Sequence, residues 1–342
     1  MDDCCCGGNS SCSCPEETGV ITPVSADLSR SDVLGAWKAR WGIGRMDYKV
    51  NPGLYALNNP DSSSPVLVSA NYKLSFDTLR KNLSGLACWI LVLDTKGINV
   101  WCAAGKGTFG TTELVNRVKE AKLSEKLEHR TLILPQLGAP GIIAREVTRQ
   151  TGFSVVFGPV RAADIKEFLS AGMKATKEMR TVKFTFYDRS VVTPMEIVEA
   201  AKYVLPVFGV LFILNLFVKR QFGLSDVILY FGAKLAGCFF TPLLLPFIPG
   251  RAFAFKGWLL GLCWAALAFW LLGWYAPGYW LLTAGYGLLL PAISSFLAMN
   301  FTGASTYTSP SGVLKEMRTA LPFIIVSAAA GAVLILIKSF TG

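Results

Sequence analysis

The chain has 342 residues, 52% of them hydrophobic and only 16% charged, with a mean hydropathy of +0.44, which is too apolar for an ordinary soluble domain. The formal net charge is +10 at pH 7, yet no basic–aromatic surface motif accompanies it, so a nucleic-acid partner is not implied. Charge thins out along the chain: from Ile197 onward nine Lys/Arg stand against three Asp/Glu in 146 residues, which is the pattern of a membrane protein.

Residues 1–30 read as a cysteine-rich flexible tail. Cys4, Cys5, Cys6, Cys12 and Cys14 lie there without the Cys-x-x-Cys spacing of a zinc or iron–sulfur site. They are either incidental or a capture site for a soft cation such as Hg(II), for which thiolates are preferred ligands. No basic segment followed by an apolar run opens the chain, so no signal peptide is expected and the domain that follows should stay in the cytoplasm. A cytosolic placement also disfavours structural disulfides.

Residues 31–190 read as an α/β Rossmann-like domain. Ser31–Asn59 is expected to lie across its surface without a fold of its own. Strands are predicted at Pro65–Tyr72, Cys88–Asp94, Thr131–Leu134, Ser154–Phe157 and Val182–Phe186. Helices are predicted at Phe76–Leu83, Thr112–Ala121, Ile142–Gln150 and Ala162–Ser170, with a short one after the second strand. Ligands of such sheets sit at the carboxyl ends of the strands, where Asn71, Asp94, Pro135, Gly138, Gly158 and Pro159 fall.

The short helix carries the most specific chemistry. In Asn99-Val100-Trp101-Cys102-Ala103-Ala104-Gly105-Lys106, Asn99 is an N-cap candidate and Cys102 falls in the first turn, where free backbone N–H groups and the helix dipole favour an anionic sulfur. Ala103, Ala104 and Gly105 add little bulk, so a flat cofactor could lie against the helix with the sulfur near its centre; equally, a lone cysteine among small residues often packs as a small hydrophobe. Trp101 is expected to anchor the helix by packing. Lys106 is either solvated or a donor to a ligand. Gly105, Gly107 and Gly110 with Thr108, Thr111 and Thr112 form a turn suited to a phosphate, although the Gly-x-Gly-x-x-Gly pattern does not open directly off a strand and a dinucleotide reading is poor.

Residues 191–342 read as an all-α transmembrane domain of five helices, at Ile197–Val218, Leu224–Ile248, Gly257–Tyr275, Tyr279–Met299 and Ala320–Ile337. With the α/β domain in the cytoplasm, Arg251, Lys256, Lys315 and Arg318 fall on the inner side and Lys219, Arg220 and Lys338 on the outer. Lys234, near the middle of the second span, either snorkels or faces Asp226 in a polar cavity. Gly232, Ala233, Ala236 and Gly237 allow close helix contact.

Asn99 to Lys106 closely resembles the cap-helix signature of the corrinoid-protein family of the mercury-methylating pair (the HgcA family). Val68-Ser69-Ala70-Asn71-Tyr72-Lys73-Leu74-Ser75-Phe76-Asp77 and Phe157-Gly158-Pro159-Val160-Arg161 resemble the corrinoid-binding domain in the large subunit of the corrinoid iron–sulfur protein. That resemblance runs from about Pro65 to Asp188, and the membrane-spanning tail of the first family is similar to the rest.

The resemblance implies a cobalamin-type corrinoid, base-off, with Cys102 as cobalt ligand and catalytic residue. It implies cofactor contacts from Asn71, Ser75, Asn99, Val100, Trp101, Cys102, Ala103, Ala104, Gly105, Lys106, Thr108, Thr111, Gly138, Gly158 and Pro159. The lone histidine, His129, sits in no Asp-x-His-x-x-Gly, so it is read as a loop residue and not a cobalt ligand. The implied activity is transfer of a methyl group from the corrinoid to Hg(II) at the inner membrane. The implied partners are a small ferredoxin-like protein with two 4Fe–4S clusters, a methyl-donor methyltransferase or corrinoid protein, and membrane lipid. Two other readings stand beside it: a corrinoid methyl carrier of one-carbon metabolism, and, in a different class, a membrane metal–thiol transporter or sensor.

Overall fold

Short apolar runs, none longer than six residues, become the strands of a single six-stranded sheet in the computed structural model, which describes residues 21–304 and 310–341. The cysteines expected to capture Hg(II), Cys4 to Cys14, lie outside the described residues. The chain divides into two units, Met1–Trp37 with Gly44–Thr181, and Lys38–Ile43 with Val182–Gly342.

In the first unit the sheet order is β1 (Ile21–Val24), β2 (Gly53–Leu57), β4 (Cys88–Leu93), β3 (Val66–Ala70), β5 (Thr131–Leu134) and β6 (Ser154–Phe157). The four strands β4, β3, β5 and β6 run parallel, and β2 joins β4 antiparallel. β3 and β4 are buried along their whole length, as continuous apolar strands covered on both faces must be. One face carries Val66, Val68, Leu91 and Leu93 against Leu114 and Val118 of α4 (Thr111–Glu120) and Val147 of α6 (Ala144–Thr151). The other carries Leu67, Ile90 and Val92 against Phe76 and Leu79 of α2 (Lys73–Asn82) and Phe168 of α7 (Ile165–Ser170). A four-residue α5 (Leu123–Lys126) leads into β5. Because β3 has β4 on one side and β5 on the other, the winding direction reverses there, and the carboxyl ends of these two strands frame the crevice in which such sheets bind ligands.

Three features depart from expectation. The expected flexible tail, residues 1–30, includes a strand, Ile21–Val24, which pairs with β2. Ser31–Asn59 is no surface wrap: it contains α1 (Arg30–Arg40) in part and all of β2. Val182–Phe186 is not a strand. Thr185 Oγ1 accepts from Asp188 N at 3.3 Å while the Asp188 carboxylate accepts from Thr185 N at 2.9 Å, and this reciprocal cap starts α8 (Phe186–Ala201) instead.

The second unit is helical, and among the described residues five helices are long and apolar enough to cross a membrane: Phe186–Asn215, Leu224–Leu244, Phe253–Leu271, Pro277–Asn300 and Ser311–Thr341. The first is made of α8 and α9 (Val204–Asn215), and the second of α10 (Leu224–Leu235), a π-turn at Ala236–Phe240 and α11 (Thr241–Leu244). α12 (Phe253–Leu271), α13 (Trp280–Asn300) and α14 (Pro310–Thr341) complete the unit. A Cβ added at Gly232 would lie 2.0 Å from the Trp264 ring and one at Gly237 would lie 2.6 Å from Ser294 O, so these small residues do permit close helix contact. Lys234 is buried and donates to Ala200 O at 3.0 Å; Asp226 is paired elsewhere, with Arg220 at 2.9 Å.

The α1 segment is held to the first unit by charge. Arg80 donates to Asp77 and Asp32, both at 2.8 Å, and to the carbonyls of Ser25 and Asp27, while Lys73 reaches Asp32 at 2.6 Å and Asp77 at 3.0 Å. Burial opposes ionisation of Asp32, but bonds from Lys73, Ser29 and Arg80 outweigh it and hold the carboxyl well below the usual carboxylate range. A depressed folded-state value makes this contribution complete above about pH 4 and lost only as pH falls through the depressed value. Arg80→Met should destabilise the α1–α2 contact by about 1.5–3 kcal/mol, because it removes the charge-assisted bonds to Asp32 and Asp77 and leaves Lys73 as their one remaining cation. The check is hydrogen exchange: amides from Ile21 to Arg40 should exchange faster, and unchanged protection would refute this account of the joint.

Candidate functional site

At the carboxyl end of β3, Asn71 is 2% exposed, and its side-chain carbonyl accepts three bonds: from Thr95 N at 3.1 Å, Thr95 Oγ1 at 2.8 Å and Gly97 N at 2.9 Å. Its amide donates to Asp94 Oδ1 at 3.1 Å. Asp94 is also bound by Lys96, and the Asp94 amide donates to Glu113 Oε1 of α4 at 2.8 Å. This network fixes the loop that leaves β4 and delivers the chain to Asn99.

Asn99 then caps α3 (Val100–Lys106), its Oδ1 accepting from the Cys102 amide at 2.9 Å, and Gly107, at φ +78°, ends the helix. The seven residues divide by face. Val100, Ala103 and Ala104 share the inward side and join the sheet's core. Cys102 is half-buried and Gly105, one turn on, is exposed; a Cβ at Gly105 would meet nothing within 4 Å. Trp101 is 42% exposed, so the anchor by packing is Val100 and not Trp101. Ala103 and Ala104 turn away from the Cys102 face, and their smallness serves the approach of α3 to the turn Gln136–Gly141. A Cβ at Gly141 would lie 2.1 Å from Phe109 O and 3.2 Å from the Ala104 Cα. One at Gly138 would lie 2.5 Å from the Phe109 ring, itself fully buried.

The remaining site residues are placed as follows. Thr111 Oγ1 accepts from Ile143 N at 2.8 Å, tying the start of α4 to the start of α6, and Thr108 Oγ1 donates to Ala103 O at 3.4 Å. Gly158 is buried and donates through its amide to Leu134 O at 2.8 Å, with Pro159 buried beside it. Ser75 lies in the first turn of α2, half-buried, and Lys106 is exposed. Thr95, Gly97, Glu113, Phe109 and Gly141 escaped sequence reasoning. Only the glycines among them carried a local signal.

The donor set at α3 is one soft sulfur on a face left bare by Gly105, which suits the flat ring and soft metal of a corrinoid. Asn99, Trp101, Cys102, Gly105 and Lys106 would line that face. His129 is at the wrong edge: it precedes β5, at the amino ends of the parallel strands, where its Nε2 lies 2.9 Å from Ser64 O and its Nδ1 accepts from Thr131 N. Cys88 is fully buried in β4 and burial pushes its thiol up to about 12, so it remains a packing residue.

Residues 42–169 match the family described as the CO dehydrogenase/acetyl-CoA synthase delta subunit. The chain is similar to the acetyl-CoA decarbonylase/synthase complex subunit gamma of Methanopyrus kandleri and to that of Archaeoglobus fulgidus, each 33% identical over 127 residues, 36% of this chain and 27% of the relative. The subunit gamma of Methanocaldococcus jannaschii is 32% identical over 127 residues, 36% of this chain and 26% of the relative. The chain thus spans about a quarter of the length of these relatives. These matches support a corrinoid-protein domain in the first unit.

Replacing Asn71 with Ala leaves the Thr95 and Gly97 amides without their acceptor, while the Thr95 hydroxyl keeps Ile98 O, at about 1–3 kcal/mol. The loop Asp94–Asn99 should loosen and α3 with it, read as faster amide exchange from Thr95 to Lys106; unchanged exchange would remove Asn71 from this role. In the unsubstituted chain, burial works against ionised Asp94, but Lys96 and Asn71 more than offset it and hold the carboxyl below its usual range. Loop protection should therefore be complete above about pH 4 and be lost only as pH falls through the depressed value.

Proposed function

We propose that this chain is a membrane-anchored corrinoid protein that transfers a methyl group to Hg(II), forming methylmercury, with Cys102 as the ligand to cobalt. The observation that carries the reading is the setting of Cys102: a half-buried thiol in the first turn of α3, its own amide held by Asn99, on a face left bare by Gly105. A bound corrinoid would supply the transferable methyl group. Cys102 would hold the ring from one side with a soft, electron-rich sulfur, which favours delivery of the methyl to an electrophilic metal over delivery to a nucleophile. Asn99 would keep the sulfur in register. Lys106 would meet polar groups at the ring's edge, and the Gly107–Thr112 turn would hold the cofactor's nucleotide arm.

Delivery of the methyl with its bonding electrons calls for a reductant in every cycle. The proposed source is a small ferredoxin-like protein with two 4Fe–4S clusters, and a methyl-donor methyltransferase or corrinoid protein would reload the site. The five long apolar helices support anchoring in a membrane, and the placement of the α/β unit in the cytoplasm rests on Arg251, Lys256, Lys315 and Arg318 on one side against Lys219, Arg220 and Lys338 on the other. The similarity to subunits of an acetyl-CoA decarbonylase/synthase complex favours a second reading, a methyl carrier of one-carbon metabolism, which keeps the corrinoid and changes the acceptor.

With the full chain purified anaerobically and loaded with corrinoid, Cys102→Ala should lower Hg(II) methylation at least about a hundredfold, near 2.7 kcal/mol, and change the absorption spectrum of the bound corrinoid. Membrane insertion and the α3 fold should persist, since Ala suits the same helix. Activity equal to the parent would sink the Cys102 mechanism; methyl transfer to a thiol or amine acceptor but not to Hg(II) would select the second reading. Reporter fusions should place the loop at Arg251 and the start of α14 at Lys315 in the cytoplasm and the C-terminus outside, as five spans require. A cytoplasmic C-terminus would remove one span.

A further inference from the structure

At the end of the helical unit that holds Arg251 and the start of α14 at Lys315, three helices are joined by side-chain bonds. Ala254, in the first turn of α12, donates its amide to Glu316 Oε1 of α14 at 2.6 Å, a carboxylate closing a helix N-terminus. Ser295 of α13 donates to Ala254 O at 2.8 Å, and Ser327 of α14 donates to Leu288 O of α13 at 2.9 Å. Between the three helices lies a recess of about 1050 Å³, walled by Phe255, Trp258, Leu288, Phe323, Ile324 and Val326. The polar groups in its wall are bonded to the helices themselves, so the interior is left apolar.

The rim differs from the wall. Arg251 and Lys315 line the recess and are exposed, and among the described residues neither has a carboxylate partner; Glu316, the acid beside them, is engaged by α12. Two cations over an open apolar recess match one kind of occupant, an amphiphile with an anionic head and a long apolar tail. The volume lies just above the roughly 300–1,000 Å³ usual for ligand pockets, more than a small polar metabolite fills. Basic pockets between membrane helices on the cytoplasmic side are suited to anionic headgroups. We infer that this recess is a binding site for one anionic phospholipid, its phosphate held by Arg251 and Lys315 and an acyl chain laid along Trp258 and Phe323. The inference rests on the membrane reading of the five helices.

Trp258 provides the probe, since it lines the recess, is 40% exposed and stacks on Phe255 with ring centroids 6.1 Å apart. The full chain is reconstituted into phosphatidylcholine vesicles doped with either phosphatidylglycerol or phosphatidylcholine carrying brominated acyl chains. The Trp258 contribution to quenching is isolated by subtracting the Trp258→Phe variant. Brominated phosphatidylglycerol should quench Trp258 more than the phosphatidylcholine probe does, by about fivefold in apparent affinity for each rim cation. The Arg251→Gln, Lys315→Gln double variant should quench equally with both lipids, while Lys315→Arg keeps the preference. Equal quenching in the parent chain, or a preference that survives the double variant, overturns the site. Trp270 and Trp280, 69% and 65% exposed, report insertion separately: if neither lipid quenches any tryptophan, the chain is not in the bilayer and the membrane reading falls together with the site.

Discussion

The side chain of Asn71 is the constraint on which the α/β unit's candidate chemistry depends. One carboxamide, buried at the carboxyl end of the central strand, gathers Thr95, Gly97 and Asp94 and so dictates the path from β4 to Asn99. A buried amide in that position makes a specific choice of loop, because any other path would leave its acceptor and the loop's donors unpaired in a dry setting. The position of the Cys102 sulfur follows from it through one further bond, that from the Cys102 amide to Asn99. The reach from sheet to thiol therefore runs through polar bonds and not through apolar packing alone, which gives a short helix a defined orientation that seven residues could not hold by themselves.

The smallness of the residues around Cys102 has two separate physical causes. Ala103 and Ala104 are small because the Gln136–Gly141 turn comes close to them, with Gly138 and Gly141 yielding to Phe109. Gly105 has no such neighbour: a Cβ there would stand in open space, so no packing contact accounts for its missing side chain. The difference locates the face available to a ligand on the Cys102 and Gly105 side. It also explains why Trp101, on the outward side next to Cys102, is exposed although its size suggests an anchor.

Much of the sheet was legible because β3, β4, β5 and β6 are apolar runs bounded by turn residues, and the expected Thr131–Leu134 and Ser154–Phe157 are the observed strands. The N-cap role of Asn99 was legible for the same local reason. What escaped was set by partners distant in sequence. β1 is exposed on most residues, and α1 is fixed by Arg80 and Lys73 reaching Asp32 across 48 and 41 positions, neither of which leaves a periodic trace. Val182–Phe186 has the composition of a strand, and only the Thr185–Asp188 capping spacing argued otherwise; the two-way bond decided it. Within the site, Asn71, Asp94 and Gly138 could be named from strand ends alone. The roles of Thr95, Glu113 and Phe109 depend on which loops meet, and that is tertiary information.

The charges of the helical unit argue in the same physical terms about what its spans do. An ionised group away from water needs a partner, and here the partners are internal. Asp226 is bound by Arg220 and by the Tyr286 hydroxyl, joining the start of α10 to α13. Lys234 is directed to Ala200 O, Lys256 to Leu245 O, and Arg189 to the carbonyls of Leu243 and Phe184. Each of these side chains ties one helix or connection to another. A pathway for a soft cation through the spans would require such groups, or Cys238 and Cys263, to face a common channel. Instead Cys238 is buried, packed against Ala200, Leu297, Ile197 and Ile293, and Cys263 is exposed. These groups accordingly serve as internal polar joints between helices, whereas Arg251 and Lys315, at the rim of the recess, have no carboxylate partner among the described residues.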